Sequence, residues 1–235
     1  MKKSILNHEY IKNSITKNNG KDDVKYRWSH GATTKHLGDG MILYSLMYFL
    51  KPKLSVCLGS GGGYIPRIMW SCISDLRQEG YDGKGESRVI LVDAVNGVNG
   101  EPDWTDEDSF YRTNFNSEWL HETTEKAYYE YFVKRDMRID LLWIDADHSL
   151  EGVKKDFDLY SEIMSDNGII MIHDTDKNYV DNFIEIEEHE DYDLSGPSEF
   201  IKTLDSDKFE ILNLFNYGIE KDFPSSTGLT IVRKK

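Results

Sequence analysis

Apolar residues recur along the chain at two different spacings. Between Asp39 and Leu50 they fall three or four positions apart, which predicts a helix with one buried face. The helix is expected to end at Lys51-Pro52-Lys53, because proline cannot continue the hydrogen-bond ladder. Beyond this point, short runs that are apolar along their whole length alternate with helical patterns.

These apolar runs predict strands, and the segments between them predict helices. The strands are LSVCLG, VILVDA, IDLLWIDA and GIIMIHDT, and the helices are IPRIMWSCISDLRQEG and EGVKKDFDLYSEIMSDNG. Strands without polar alternation, separated by helices, indicate a parallel sheet that is covered on both faces. The closing runs FEILNLF and GLTIVRKK have no helix between them and predict an antiparallel pair at one edge.

Residues 95–137 have the least regular pattern. VNGVNGEPDW is typical of a loop, and SEWLHETTEKAYYEYFVKRD has helix-like periodicity, but the strand expected before it is not evident. No linker or change in composition divides the chain. We therefore expect a single domain over residues 1–235, with the polar residues 1–27 as an arm or partial lid.

Charge and cysteine content narrow the functional classes. Forty-two acidic against 28 basic residues give a net charge of −14, which argues against nucleic acid or a membrane surface as a partner. The two cysteines, Cys57 and Cys72, form no disulfide framework and fit a reducing compartment. Because no apolar stretch is long enough for a signal peptide or a membrane span, we expect a soluble, cytoplasmic protein.

A glycine-rich turn follows the first predicted strand. SVCLGSGGGY leaves the backbone open to a ligand at the start of a helix, although a plain strand-to-helix turn has the same composition. The dinucleotide fingerprint G-x-G-x-x-G fails, since Tyr64 or Pro66 takes its last position, and no P-loop lysine follows. Asp93 ends the second strand, where an acid can bind ribose hydroxyls or simply cap a turn.

Acids and histidines follow two later strands. Asp145, Asp147 and His148 come after one strand, and His173 and Asp174 come after the next. If the two strands are neighbours, their ends lie about 5 Å apart, and carboxylates that close repel each other unless a cation lies between them. Oxygen ligands with one imidazole suit Mg²⁺, Mn²⁺ or Ca²⁺, or iron if histidine dominates.

Each of these motifs also has a purely structural interpretation. Asp147 or Ser149 can cap the following helix, Asp174 can cap a turn, and His173 can be a satisfied residue at the edge of the core. Their corresponding places at two strand ends favour a site. His148 is the better candidate for a functional histidine.

The spacing G-x-G-x-G at Gly59, Gly61 and Gly63 resembles that of class I S-adenosylmethionine-dependent methyltransferases. IDADHSLEGVKKDFDLYSEIMSDNGIIMIHDT is similar to the methyltransferase-24 group and to the cephalosporin-hydroxylase-like and macrocin O-methyltransferase families. WSHGATTKHLGDGMILYSLMYFLKPKLSVCLGSGGGY resembles the cephalosporin-hydroxylase-like lead-in. Two departures are Cys57, where the family usually has an acid, and His173, where relatives often have a second acid.

The resemblance implies an α/β fold with a doubly wound, mostly parallel, seven-stranded Rossmann-like sheet and an antiparallel C-terminal edge strand. It implies an O-methyltransferase that binds S-adenosylmethionine through Gly59, Ser60, Gly61, Gly63, Asp93 and Asp145. A divalent cation, Mg²⁺ by first choice, would bind Asp145 and Asp174, with His173 or alternatively Asp147 as a further ligand. Asp145 and His148 would be catalytic residues, with His148 as the base.

The substrate would be a hydroxyl group of a small molecule or sugar. We expect its pocket to involve the arm, the 95–125 loop and the 176–200 segment, with aromatic residues for stacking: Trp104, Phe110, Tyr111 and Trp119. A homo-oligomer is left open, because the arm could reach a second subunit. Two alternatives remain, namely a non-catalytic or regulatory nucleotide-binding module on the same fold and, less favoured, an NAD-dependent dehydrogenase.

Overall fold

A computed structural model of the chain describes residues 30, 37–59, 63–81, 85–94, 118–177, 195–215 and 227–235. Seven strands form one sheet in the order β3-β2-β1-β4-β5-β7-β6. Their bounds are β1 Leu54–Leu58, β2 Arg88–Val92, β3 Glu118–Leu120, β4 Ile139–Ile144, β5 Met164–His173, β6 Phe209–Leu214 and β7 Leu229–Lys234. Strands β1 to β5 pair in parallel, and β7 is antiparallel to both β5 and β6, which confirms the predicted doubly wound sheet.

Helices cover both faces of the sheet. Their bounds are α1 Asp39–Leu50, α2 Tyr64–Gln78, α3 Thr124–Ala127, α4 Leu150–Ser161 and α5 Gly196–Phe200. A π turn, Tyr128–Phe132, continues α3. The helices α1 and α2 pack on one face in a cluster that includes Cys57, and the helices α3, α4 and α5 pack on the other in a cluster that includes Val56. Neighbouring residues of β1 thus belong to separate cores, as expected for a strand that is buried on both faces.

Two predicted helices have different bounds in the structure. The helix predicted to reach Gly168 ends at Ser161, because β5 already begins at Met164, which pairs with Ile139 of β4. The helix predicted from Ser117 begins only at Thr124, and the missing third strand is β3, within the same stretch.

Some expectations lie outside the described residues. The arm of residues 1–27 and most of the 95–125 loop belong to this part of the chain, so the single domain over 1–235 stays a prediction. Within the described ranges, each helix is too short or too polar to cross a bilayer.

Candidate active site

The carboxyl ends of β1, β4 and β5 lie side by side. Leu58 pairs with Ile144, and Ile144 pairs with Ile172, so the residues after these positions share one edge of the sheet. The backbone N–H of Asp145 donates to the carbonyl of Leu58 at 2.9 Å. The strand order reverses between β1 and β4, which is where open parallel sheets form their ligand crevice.

The glycine turn begins where the ends of β1 and β4 are in close contact. Gly59 has a φ of 76°, and a Cβ atom there would overlap the backbone of Asp145 and Ala146. Glycine is therefore required because two strand ends approach each other, independently of any ligand. Gly63, with a φ of 82°, precedes α2. Ser60 and Gly61, also predicted to bind the cofactor, lie outside the described residues.

Asp93 and Cys57 flank the turn from neighbouring strands. Asp93 is buried directly after β2, and its N–H donates to the carbonyl of Leu120 at 3.1 Å. The Cys57 thiol donates to the carbonyl of Gly59 at 3.0 Å, and burial, reinforced by nearby carboxylates, raises the pKa of this thiol well above its usual value. A neutral thiol thus occupies the position where the resemblance noted above leads one to expect an acid.

His148 joins the ends of β4 and β5. Its Nε2 lies 2.6 Å from Oδ2 of Asp174 and 3.3 Å from Oδ1 of Asp145. Burial alone would lower the pKa of this imidazole, but the hydrogen bonds to Asp145 and Asp174 raise it to about 10. The next residue, Ser149, caps α4, as the purely structural interpretation of this motif predicts. The side chain of His148 instead points into the crevice.

Five side chains form a cluster at the strand ends, namely His30, Asp145, His148, His173 and Asp174, and His173 is the most deeply buried of them. Its Nδ1 lies 3.1 Å from Oδ1 of Asp174 and 3.4 Å from Oδ1 of Asp145, and its Nε2 lies 3.3 Å from Oδ2 of Asp39. Burial opposes the charged imidazole, but Asp174 and Asp145 outweigh burial and raise the pKa of His173 well above its usual value. Conversely, His173 and His148 outweigh burial at both carboxylates and lower the pKa values of Asp145 and Asp174. Thr227 also donates to Asp174.

His30 is a member of this cluster that sequence reasoning missed. Its Nδ1 lies 3.2 Å from Nε2 of His173 and 3.7 Å from Oδ2 of Asp145. Burial, reinforced by the charge of His173, lowers the pKa of His30 to about 4. A single histidine in a polar segment has no spacing signal, and 143 residues separate it from its partner.

The donors fit a divalent cation. Two compact groups of three possible ligands occur among the described residues, namely His30, Asp145 and His173, and Asp145, His148 and Asp174. The predicted set of Asp145, Asp174 and His173 shares two members with each group. Ligands at about 2.1 Å from a metal stand about 3 Å apart, close to the separations between these donor atoms.

Of the four aromatic residues predicted to stack on a substrate, only Trp119 lies within the described residues. Trp119 lies in β3 with its ring centroid 4.9 Å from that of His121. Trp104, Phe110 and Tyr111 lie outside the described residues.

A family model described as a methyltransferase domain matches residues 56–175, just over half of the chain. The matched segment runs from β1 through β5 and therefore contains Gly59, Asp93 and the described cluster except for His30. The chain belongs to the methyltransferase-24 family. Membership confirms the predicted class I S-adenosylmethionine-dependent methyltransferase.

Solved structures of other methyltransferases share the fold. The O-methyltransferase from Bacillus cereus in complex with SAH has a TM-score of 0.69 at 14% identity, covering 98% of this chain and 93% of that chain. TomG from Streptomyces achromogenes, an O-methyltransferase of tomaymycin synthesis in complex with SAM, has a TM-score of 0.66 at 10% identity, covering 99% and 93%. At these identities, the similarity establishes the fold alone. A search of curated proteins found no match.

Proposed function

We propose that this methyltransferase transfers the methyl group of S-adenosylmethionine to a hydroxyl oxygen of a small molecule or sugar, assisted by a divalent cation. The observation that carries the proposal is that the glycine turn and the acid- and histidine-rich cluster lie in contact. The backbone N–H of Asp145 in the cluster donates to the carbonyl of Leu58, the residue before the turn. A methyl donor at the turn would thus face an acceptor at the cluster. The O-methyltransferases of Bacillus cereus and Streptomyces achromogenes support the choice of oxygen as acceptor.

The cofactor would lie across the ends of β1, β2 and β4. The turn residues Gly59, Ser60, Gly61 and Gly63 would offer their backbone, and Asp93 would accept hydrogen bonds from the ribose hydroxyls. Asp145 would face the methionine end. Since Cys57 is a neutral thiol bonded within the turn, the positively charged donor would have Asp145 as its nearby carboxylate.

The substrate side would be formed by the ends of β4 and β5. Asp145 and Asp174, with His173 beside both, would hold the cation, and a bound cation lowers the pKa of a coordinated hydroxyl group. With a pKa of about 10, His148 holds its proton near neutral pH while it bridges the two carboxylates. It can act as the base only when another positive charge neutralises Asp145 and Asp174. Fixing the acceptor oxygen in line with the methyl group would supply much of the rate.

The first experiment is a calorimetric titration of the protein with S-adenosylmethionine, before and after treatment with EDTA. We expect micromolar affinity that survives chelation, because the cation serves the substrate side. Asp93→Asn should weaken binding about 10- to 100-fold, since it removes hydrogen bonds to a charged group. Asp158→Asn, on the exposed face of α4, is the control and should bind like the wild type.

Absence of binding by the wild-type protein in both conditions would contradict the proposal. Turnover is tested separately with a panel of hydroxylated acceptors and Mg²⁺. There, Asp174→Ala should abolish methyl transfer while cofactor binding persists, because Asp174 would hold the cation and is not among the cofactor-binding residues. A wild-type protein that binds S-adenosylmethionine but methylates no acceptor would instead favour the regulatory module.

A further inference from the structure

The exposed side of α1 has no charged side chain. A surface helix usually buries an apolar stripe and turns charged residues toward water. In α1, Asp39 is the one charged residue, and it is buried together with Leu43 and Met47. The exposed residues of the helix are Met41, Ser45, Tyr48 and Phe49. At about 3.6 residues per turn, these four positions fall on one stripe opposite the buried residues, so the helix presents an uncharged surface to water.

Further apolar surface adjoins this stripe. Tyr81 is exposed beside Lys51, the residue after α1, whose Nζ lies 4.1 Å from the centre of the ring. Toward the sheet edge, Leu212 of β6 is exposed and pairs with Ile231 of β7, which packs with Leu50 against the core beneath α1. Directly paired residues point to the same side of a sheet, so Leu212 lies on the side that α1 covers. The stripe and the tyrosine beside it form a surface that we call the α1 face: Met41, Ser45, Tyr48, Phe49 and Tyr81.

The area of the α1 face approaches what an interface requires. Phe49, Tyr81 and Tyr48 are 79%, 62% and 37% exposed. An aromatic residue has about 200 Å² of surface, so these three leave about 350 Å² in contact with water. A stable dimer buries about 800 Å² on each partner, with an apolar centre inside a polar rim. The three aromatic residues alone would therefore provide nearly half of that area, as the apolar centre.

Charge favours a second copy of the chain as the partner. The net charge of −14 makes two copies repel each other wherever their acidic surfaces meet. The α1 face carries no charge, so two copies can approach there without this repulsion. Residues 1–27 of the same chain suit the face less well, because they are rich in lysine and asparagine rather than in apolar residues.

The order of residues along α1 suits a twofold axis. Met41 and Phe49 lie about two turns apart, and the small Ser45 is midway between them. Antiparallel packing of two α1 helices about an axis at Ser45 would bring each Phe49 against Met41 of the partner subunit, as an isologous interface requires. A small residue at the crossing lets the helix axes come within about 8 to 10 Å of each other. Antiparallel packing also brings the opposite ends of the two helix dipoles together.

We propose that the α1 face binds a second copy of this chain, so that the protein forms a twofold symmetric dimer through antiparallel α1 helices. The inference goes beyond the proposed function, because association requires neither S-adenosylmethionine nor methyl transfer. α1 ends shortly before β1 begins. Phe49 therefore lies near the amino ends of the strands, whereas the candidate site lies at their carboxyl ends.

Sedimentation velocity of the full chain at about 1 and about 100 μM measures the association. We expect a dimer whose population rises with protein concentration and with salt, because salt screens the repulsion between two acidic copies. Phe49→Asp should weaken the dimer at least about 100-fold, since it would bury a carboxylate in each half of the apolar centre. Circular dichroism should show this variant folded, because Phe49 is mostly exposed in the single chain. Tyr129→Asp adds the same charge at an exposed ring on the other side of the sheet and should dimerise like the wild type.

A cysteine at the axis tests the arrangement independently. Mild oxidation of Ser45→Cys should link two copies through a disulfide, because the twofold axis brings the two introduced thiols together. The natural cysteines, Cys57 and Cys72, are buried and should not react. Asp158→Cys, on the exposed face of α4, is the control and should stay unlinked.

A wild-type protein that stays monomeric at about 100 μM would overturn the proposal and leave residues 1–27 or another protein to cover the α1 face. A dimer that Phe49→Asp leaves intact, or one that salt dissociates, would overturn it as well. Linkage of Asp158→Cys as readily as Ser45→Cys would contradict the antiparallel arrangement. Loss of S-adenosylmethionine binding with an intact dimer would contradict only the proposed function.

Discussion

The backbone at Gly59 leaves no space for a side chain. Its φ of 76° is strained for any other residue, and an added methyl group would overlap the backbone of Asp145. We expect Gly59→Ala to lower the free energy of unfolding by about 2 to 4 kcal/mol, from backbone strain together with overpacking. Urea denaturation measures the change.

Gly80 provides the matched control for this substitution. Its φ is 87°, but nothing lies within 4 Å of an added Cβ, so Gly80→Ala has only the backbone strain, about 1 to 2 kcal/mol. Equal losses in the two variants would show that the close approach of Asp145 is unimportant. A larger loss at Gly59 would assign this glycine a structural role in addition to any contact with the cofactor.

Some residues of the candidate site can be predicted from the sequence, and others cannot. Asp145 and His148 were predicted as site residues because they directly follow an apolar run, and the structure brings them within 3.3 Å. Asp174 was predicted for the same reason and lies 2.6 Å from His148. His30 follows no such run, and only the packing of its segment against the sheet brings it to His173.

At the scale of secondary-structure elements, Asp156 couples two helices. It lies in α4, is 1% exposed and accepts a hydrogen bond from Thr124 of α3 at 2.5 Å. Burial raises the pKa of Asp156 to about 6, despite the opposing effect of that hydrogen bond. Its unfolded-state pKa is about 3.9, so between about pH 4 and pH 6 the folded protein binds more protons than the unfolded chain.

Stability should therefore fall as pH rises through this window, by about 3 kcal/mol from Asp156 alone. This contribution is fully present below about pH 4 and is lost above about pH 6. Asp156→Asn should remove it and raise the free energy of unfolding at pH 7.5 by about 1 kcal/mol, since the amide oxygen still accepts from Thr124. Urea denaturation across this pH range tests the effect, with the exposed Asp158→Asn as control. A pH profile for Asp156→Asn parallel to the wild type would contradict it.

The helices and strands that the sequence predicts correctly are those defined by a pattern of neighbouring residues. The helix Asp39–Leu50 and the ends of β1, β2 and β4 follow from runs of apolar residues and their spacing. The start of β5 does not, because it depends on the pairing of Met164 with Ile139 and on Ser165, which donates to Asp140 at 2.7 Å. β3 has three residues, too few for a periodic pattern, and the pair between Glu118 and Arg88 of β2 holds it.

At the scale of the whole molecule, the candidate site lies at the carboxyl ends of four consecutive interior strands of the sheet. The glycine turn, Asp93 and the cluster use the ends of β1, β2, β4 and β5, and Thr227, just before β7, reaches the cluster through Asp174. The sheet order, with its reversal between β1 and β4, follows from strands paired across long sequence separations. The sequence could predict such a crevice from the alternation of strands and helices, but not which side chains meet in it.

Both cores of the molecule depend on the same strands. Val56 and Cys57 are adjacent in β1 but belong to opposite cores, so neither core can open without disrupting the sheet that supports the other. We therefore expect a single cooperative unfolding transition, in agreement with the predicted single domain. Saturation with S-adenosylmethionine at 100 times its dissociation constant should stabilise the folded protein by about 2.7 kcal/mol.

For a chain of this length, that stabilisation corresponds to a rise in Tm of about 5 to 10 °C. Differential scanning calorimetry with and without the cofactor measures both the number of transitions and the shift. Asp93→Asn should show a smaller shift at the same cofactor concentration, whereas Asp158→Asn should match the wild type. Two separate transitions, with only one of them moved by the cofactor, would contradict the shared-sheet argument, because a ligand across β1, β2 and β4 cannot stabilise one core of a common sheet without the other.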